Sequence, residues 1–192
     1  MACSNYATLI PMPTPEIHQQ HYESTESTND IAKRWVKDHP HNPLVVSADT
    51  QSAGRGQHRA AWVSEPGGLY YTCLIPKAQD VSPEITLEVA AIVQHLIHDY
   101  AGIMPEISAP NDLMVAGKKL CGILVETLHR AGSHTHLIIG IGINVNQASF
   151  PDPITDIAVS LYELTGEKRD LDPLKESLTI ALLARFWDAA QR

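Results

Sequence analysis

At 192 residues, with 44% hydrophobic and 19% charged content, the chain has an ordinary globular composition and is long enough for a real core; a domain of this size buries about 70% of its unfolded surface. A net charge of −8 excludes a general nucleic-acid binder, because phosphate binding needs clustered Lys and Arg. Cys3, Cys73 and Cys121 are few, widely spaced and never in CxxC spacing, which points to a reducing compartment. No apolar run approaches the roughly 18 residues of a membrane span, and the N-terminus lacks the basic region of a secretory signal, so the expected location is cytoplasmic.

In chain order, Met1 to Pro15 reads as an irregular arm and Ile17 to Glu23 as a first strand. Ser27-Thr28-Asn29-Asp30 is a helix-start signal, with Asp30 suited to the positive helix end and Ile31, Trp35 and Val36 facing the core. Leu44-Val45-Val46 is a strand, and the next apolar run, Leu69 to Ile75, is another. Ser82-Pro83 opens a long helix whose stripe is Ile85, Val89, Ile92, Leu96 and Tyr100, and Gly102 stops it. Met104 to Ser108 is a short strand. Leu113 to Val115, Ala116-Gly117 and Leu120 to Glu126 form a hairpin, which Thr135 to Val145 joins after a turn at Gly132-Ser133. Ile157 to Leu164 reads as a helix ending near Gly166, and Asp172 as cap with Pro173 in the first turn opens a last helix with Leu174, Leu178, Leu182 and Phe186 buried. The mixed order predicts one α+β domain over residues 1–192, with a mixed or antiparallel sheet packed with helices.

The long connection between Val46 and Leu69 is where function is expected, since such loops are uncommon without one. Its segment Gln51 to Trp62 reads QSAGRGQHRAAW. Gly54 and Gly56 permit close backbone approach, Arg55 offers a donor fork for carboxylate or phosphate, and Trp62 a flat face for a ring. With few apolar anchors, the loop is expected to order around ligand. Gly140-Ile141-Gly142 lacks the third glycine of a dinucleotide fingerprint, and Gly117-Lys118 lacks Walker spacing. The ten histidines form only local pairs and Cys121 reads as a small core hydrophobe, so no metal ligands are assigned.

Four blocks remain: Ser27-Thr28-Asn29; Gln51 to Trp62; Pro110-Asn111-Asp112 with the stretch Lys118 to Glu126; and Gly140 to Asn146. In this order they resemble the catalytic domain of biotin–protein ligases, whose fold is like that of class II aminoacyl-tRNA synthetases. Ala158-Val159-Ser160-Leu161 fits the same pattern. The resemblance implies formation of biotinyl-5′-AMP from biotin and ATP with Mg²⁺, then transfer to a lysine of a biotin carboxyl carrier protein. It implies that Lys119 bridges the biotin carboxyl and the α-phosphate, that Arg55 with the N–H groups of Gly54 and Gly56 holds the anions, and that Asp112 orients the incoming lysine. It places Ser27, Thr28, Asn29, Gln51 and Gly122 against biotin, and Gln57, Trp62, Asn111 and Asn144 against the nucleotide. It leaves a homodimer open, and leaves no room in this chain for an N-terminal winged helix or a C-terminal small β-barrel. Two positions depart from the pattern: Ala60-Ala61 stand before Trp62, and Ser108-Ala109 before Pro110. A lipoate- or octanoate-handling relative and a non-catalytic biotin or nucleotide binder are the alternative readings; the GRG loop and the GIGINVN strand favour biotin.

Overall fold

The computed structural model describes residues 16–78, 84–130 and 134–187, so the expected helix opening at Ser82-Pro83, the turn at Gly132-Ser133, the arm before Glu16 and Cys3 lie outside the described residues. The elements are β1 (His18–Tyr22), α1 (Thr28–Asp38), β2 (Leu44–Ala48), β3 (Leu69–Ala78), α2 (Ile85–Ala101), β4 (Glu106–Ser108), β5 (Asp112–Val115), β6 (Lys118–Arg130), β7 (His134–Ile143), α3 (Leu161–Thr165) and α4 (Asp172–Leu182). The strands form one seven-stranded sheet in the order β1-β2-β3-β7-β6-β5-β4. β1 runs parallel to β2 and every other neighbour is antiparallel. A parallel pair needs a crossover, and α1 supplies it. The expected α+β domain with a mixed sheet is therefore what the chain builds.

The two sheet faces have different fates. On one, Val45, Tyr71, Cys73, Ile139 and Ile141 pack with α2 (Val89, Val93, Ile97) and α4 (Leu174, Leu178, Leu182), forming the main core. On the other, Ala32 and Val36 of α1 cover Leu44, Val46, Leu74 and Ile138 in a smaller cluster. Along that second face β7 continues from Ile138 to Gly140 and Gly142, and Gly142 sits opposite Gly122 of β6. Three glycines thus leave backbone where apolar side chains would stand. Asn29 and Trp62 pack onto that strip, which forms the floor of the site described below.

The local signals account for most element ends. Gly102 and Gly166 close α2 and α3 in the left-handed conformation expected of a helix-ending glycine. Ala116 (φ 50°) and Gly117 (φ 76°) make the two-residue turn between β5 and β6; two positive φ values in a row match strand twist. Three expectations need correction. The stripe of α2 is centred on Ile85, Val89, Ala90, Val93 and Ile97, with Ile92, Leu96 and Tyr100 only partly buried. Residues 157–160 are not helical: Lys119 N–H donates to Ile157 O and Val159 N–H to Lys119 O, so this segment runs alongside β6. The helix begins after Ser160, whose hydroxyl accepts from Glu163 N–H while the Glu163 carboxylate accepts from Ser160 N–H, a capping box. Asp172 is the first residue of α4 rather than its cap, which is Leu171. Among the described residues no helix is long and apolar enough to cross a membrane.

Candidate active site

Between the glycine floor, the start of α1 and the 49–68 connection lies a cavity of about 380 Å³, within the range of small-molecule sites. Ser27, Thr28, Asn29, Gln51, Arg55, Gly56, Gln57, Trp62, Asn111, Asp112, Lys119 and Gly122 line it. With Gly140 and Gly142, which also line it, these residues come from four separate blocks of sequence. A second cavity of about 130 Å³ is lined by Val63, Asn144, Ile154, Ile157 and Ala158. Ala61, Trp62 and Lys119 line both, so the two cavities meet at one cation and one indole.

The end of the first cavity at α1 is a buried polar network. Ser27, Thr28 and Asn29 are each 4% exposed. Ser27 does not cap α1 through its side chain, contrary to the simplest reading of the sequence. Instead Gln51 Oε1 accepts from both the Thr28 N–H (2.9 Å) and the Thr28 hydroxyl (3.1 Å), and Gln51 Nε2 donates to Ser64 Oγ (3.0 Å). The loop thereby satisfies an orphan helix N–H. Asn29 Nδ2 donates to Glu126 (2.9 Å), while the Thr72 hydroxyl lies 2.6 Å from Asn29 Oδ1 and 2.8 Å from Thr28 Oγ1. The Thr28, Asn29, Gln51 and Thr72 side chains hold one another in place, because losing one partner strands another. Gly140 makes room for Asn29: a Cβ there would stand 2.4 Å from Asn29 Oδ1.

The 49–68 connection has its own scaffold. Ser52 and Ala53 N–H groups donate to Thr25 and Glu26 carbonyls, Trp62 N–H donates to Gly54 O, and Gly56 N–H donates to Ala60 O. Gln57–Arg59 make a short 3-10 turn in which His58 has φ 54°. Both loop glycines are engaged within the loop itself. Gly54 does not line the cavity; a Cβ on it would meet Trp62 O at 2.6 Å and Ser64 Oγ at 2.7 Å, so it serves close packing inside the loop. The Gly56 N–H is spent on Ala60 rather than aimed at a ligand. Arg55 Nη1 and Nη2 clasp both carboxylate oxygens of Asp30 at 2.8 and 2.5 Å. Asp30, read from the sequence only as a helix-end charge, is thus the partner of Arg55, which sequence reasoning missed, and nothing in local spacing couples the two.

The Arg55 hydrogen bond holds the Asp30 carboxyl below its usual value of 3.8. Folded Asp30 then binds a proton less readily than in the unfolded chain, so its contribution is complete above that value and is lost as pH falls through the lower native one. Urea midpoints of the wild type and Asp30→Asn should therefore differ by a constant amount from neutral pH down to about 4 and converge below it.

At the far end, Lys119 Nζ lies 2.6 Å from Asp112 and 5.7 Å from the Trp62 ring centroid. Its backbone is clamped by Ile157 and Val159, as described above. Asn111 Nδ2 donates to Asp112 Oδ1 (2.9 Å) and Asn111 O accepts from Ile123 N–H (2.9 Å). Asn144 Nδ2 donates to Lys119 O at 3.3 Å. Trp62 lies flat on Gly122 and Gly142 and separates the two cavities, and its Nε1 is buried without a partner. Cys73 and Cys121 are fully buried; burial pushes the Cys73 thiol up to about 12 and the Cys121 thiol higher still. A protonated buried thiol is a poor nucleophile, so both should resist iodoacetamide at pH 8 in the native protein and react on denaturation, read by mass spectrometry.

The fold and the site define an α+β domain with two adjoining cavities that share one lysine. The chain belongs to the Biotin/lipoate A/B protein ligase family, whose sequence model matches residues 21–144. It is 38% identical over 178 residues to the bifunctional ligase/repressor BirA of Bacillus spizizenii, covering 90% of this chain and 54% of that one. It is 27% identical to the biotin–[acetyl-CoA-carboxylase] ligase of Mycobacterium tuberculosis, covering 84% and 61%. The biotin protein ligase of Aquifex aeolicus in complex with biotin and ATP superposes with a TM-score of 0.75 at 29% identity, covering 91% of this chain and 70% of that one. The chain spans about half the length of the Bacillus relative.

Proposed function

We propose that the protein is an ATP-dependent biotin–protein ligase. The observation that carries this reading is the meeting of two cavities at Lys119. In the first step the biotin carboxylate attacks the α-phosphorus of ATP; the bond to the β-phosphate oxygen breaks and pyrophosphate leaves with that electron pair. In the second, a lysine amine of a biotin carboxyl carrier protein attacks the acyl carbon, losing a proton as AMP departs. The first step brings two anions together, so positioning and charge neutralisation are the protein's main tasks.

The larger cavity takes biotin, its ureido ring toward the Ser27–Asn29 and Gln51 network, where donors and acceptors are already fixed in place. The smaller takes the nucleotide base, with Asn144 at its wall and Trp62 as the partition. Lys119 then stands between carboxylate and α-phosphate, with Gln57 and Asn111 on the phosphate side and Gly122 on the biotin side, seating the Trp62 ring against which the acyl chain lies. Asp112, paired with Lys119, is the carboxylate placed to orient the acceptor amine. Mg²⁺ is the ion expected with ATP. Among the described residues no group of three or more His, Cys, Asp or Glu forms a metal cage. The oxygen donors of Asp112 and Asn111 fit an ion that arrives on the nucleotide phosphates and supplies charge neutralisation there. The proposal extends to a cytoplasmic location and to a homodimer through a sheet edge, β1 or β4.

The test incubates the protein with ATP, Mg²⁺ and a carrier domain, offering biotin, lipoate or octanoate in parallel. Pyrophosphate release and carrier modification with biotin alone are the expected result. Preference for lipoate or octanoate would assign the other branch of the family, and binding without pyrophosphate release would make the protein a non-catalytic binder.

A further inference from the structure

We propose that Asp30 is the positioning residue for Arg55, aiming the guanidinium so that its remaining donors face the acyl-adenylate and retain it; this rests on the reading of the larger cavity as the adenylate site. The geometry is specific. Arg55 lines the cavity, and each of its terminal nitrogens gives one hydrogen bond to a different oxygen of Asp30. A guanidinium carries five N–H groups, so this clasp engages two and leaves the others, the Nε–H among them, for an anion. Both side chains are about one-third exposed or less, at 31% and 27%, so solvent weakens the pair only in part.

Asp30 stands on a rigid base, whereas Arg55 is carried on a loop. Lys33 Nζ lies 3.7 Å from Asp30 and 2.7 Å from Glu126 of β6, and Glu126 also accepts from Asn29. The first turn of α1 is thereby fixed to the sheet. The loop from Gly54 to Trp62 closes on itself through the Trp62 N–H to Gly54 O and Gly56 N–H to Ala60 O bonds. Those bonds shape the loop without fixing the direction of the Arg55 side chain, and Asp30 fixes it from the first turn of α1. A flexible side chain is ordered before the ligand arrives, so less of its rotamer entropy is lost on binding.

The experiment loads the protein with labelled biotin and ATP-Mg²⁺, removes free ligand, and follows release of the labelled adenylate after an unlabelled chase. Asp30→Asn should release the adenylate about tenfold faster, with biotin affinity in the absence of ATP unchanged, and Asp30→Glu should restore most of the retention. In an Arg55→Ala background, Asp30→Asn should change release by less than about twofold, since the carboxylate reaches the adenylate through Arg55. Some loss of stability is expected of Asp30→Asn in either case; a merely structural role would also lower biotin affinity in the absence of ATP, and its effect on release would persist without Arg55. Wild-type or slower release by Asp30→Asn, or effects that add in the double variant, would overturn the assignment. Should the wild type form no adenylate, the functional reading has failed, and trypsin decides the role of Asp30: cleavage after Arg55 in ligand-free Asp30→Asn no faster than in wild type overturns it as well.

Discussion

Lys119→Ala is expected to lose adenylate formation by a hundredfold or more, about 3 kcal/mol in the barrier, while keeping its fold and its affinity for biotin. The lysine backbone is held on both sides, its N–H by Ile157 O (2.7 Å) and its carbonyl by Val159 N–H (3.0 Å), so truncation beyond Cβ leaves the strand in place. What goes is the one ammonium that lines both cavities. Asp112 loses an ion pair at 2.6 Å, but both partners are partly solvated, at 35% and 25% exposed, and such a pair contributes less than about 1 kcal/mol. Melting temperature should thus barely move while pyrophosphate release collapses. Lys118→Ala is the control, because Lys118 lies in the exposed part of the hairpin with its amine 3.4 Å from Thr155 O. Near-normal pyrophosphate release by folded Lys119→Ala would remove the lysine from the chemistry.

Why was so much of this site legible in sequence, and where did legibility stop? Signals that act within a few residues carried through. The Ala116-Gly117 turn, the helix stops at Gly102 and Gly166, and the apolar stripe of α4 each depend on neighbours along the chain. The four blocks that resemble a ligase site do converge on one cavity. Features that depend on distant partners did not carry through. Ser27 looks like a helix cap by position, but the cap comes from Gln51, 23 residues from Thr28. Residues 157–160 have helical periodicity, yet the free backbone of Lys119 offers them strand pairing. Gly54 is also packed where the sequence gives no sign of it, because the Trp62 carbonyl crosses beside it. The Asp30–Arg55 clasp spans 25 residues and has no local signature at all. Local chemistry fixes where elements begin and end, whereas the occupant of each side chain's hydrogen bonds is decided by topology.

Gly142→Ala shows how narrow that topological tolerance is. Gly142 and Gly122 sit opposite each other on β7 and β6 and form the floor under Trp62. A Cβ at Gly142 would stand 2.5 Å from Trp62 Cε2, and one at Gly122 would stand 2.7 Å from Cζ3. Neither glycine has a positive φ, so the backbone itself accepts alanine, and the lower chain entropy of the unfolded state would favour it by about 0.4–1 kcal/mol. Against that stands overpacking, which costs about 1–3 kcal/mol when a well-packed ring must shift. The clash should prevail, since the ring is also the wall between the two cavities and cannot lift without closing one of them. For a chain of this length each kcal/mol is about 2–4 °C of melting temperature, so Gly142→Ala should melt several degrees below wild type and bind biotin more weakly. In a Trp62→Ala background the same substitution meets empty space and should cost almost nothing, a non-additivity that identifies the ring as the cause. Wild-type melting and biotin affinity in the single variant would mean that Trp62 has another place to go, and that the glycines of β6 and β7 are there for some reason other than to seat it.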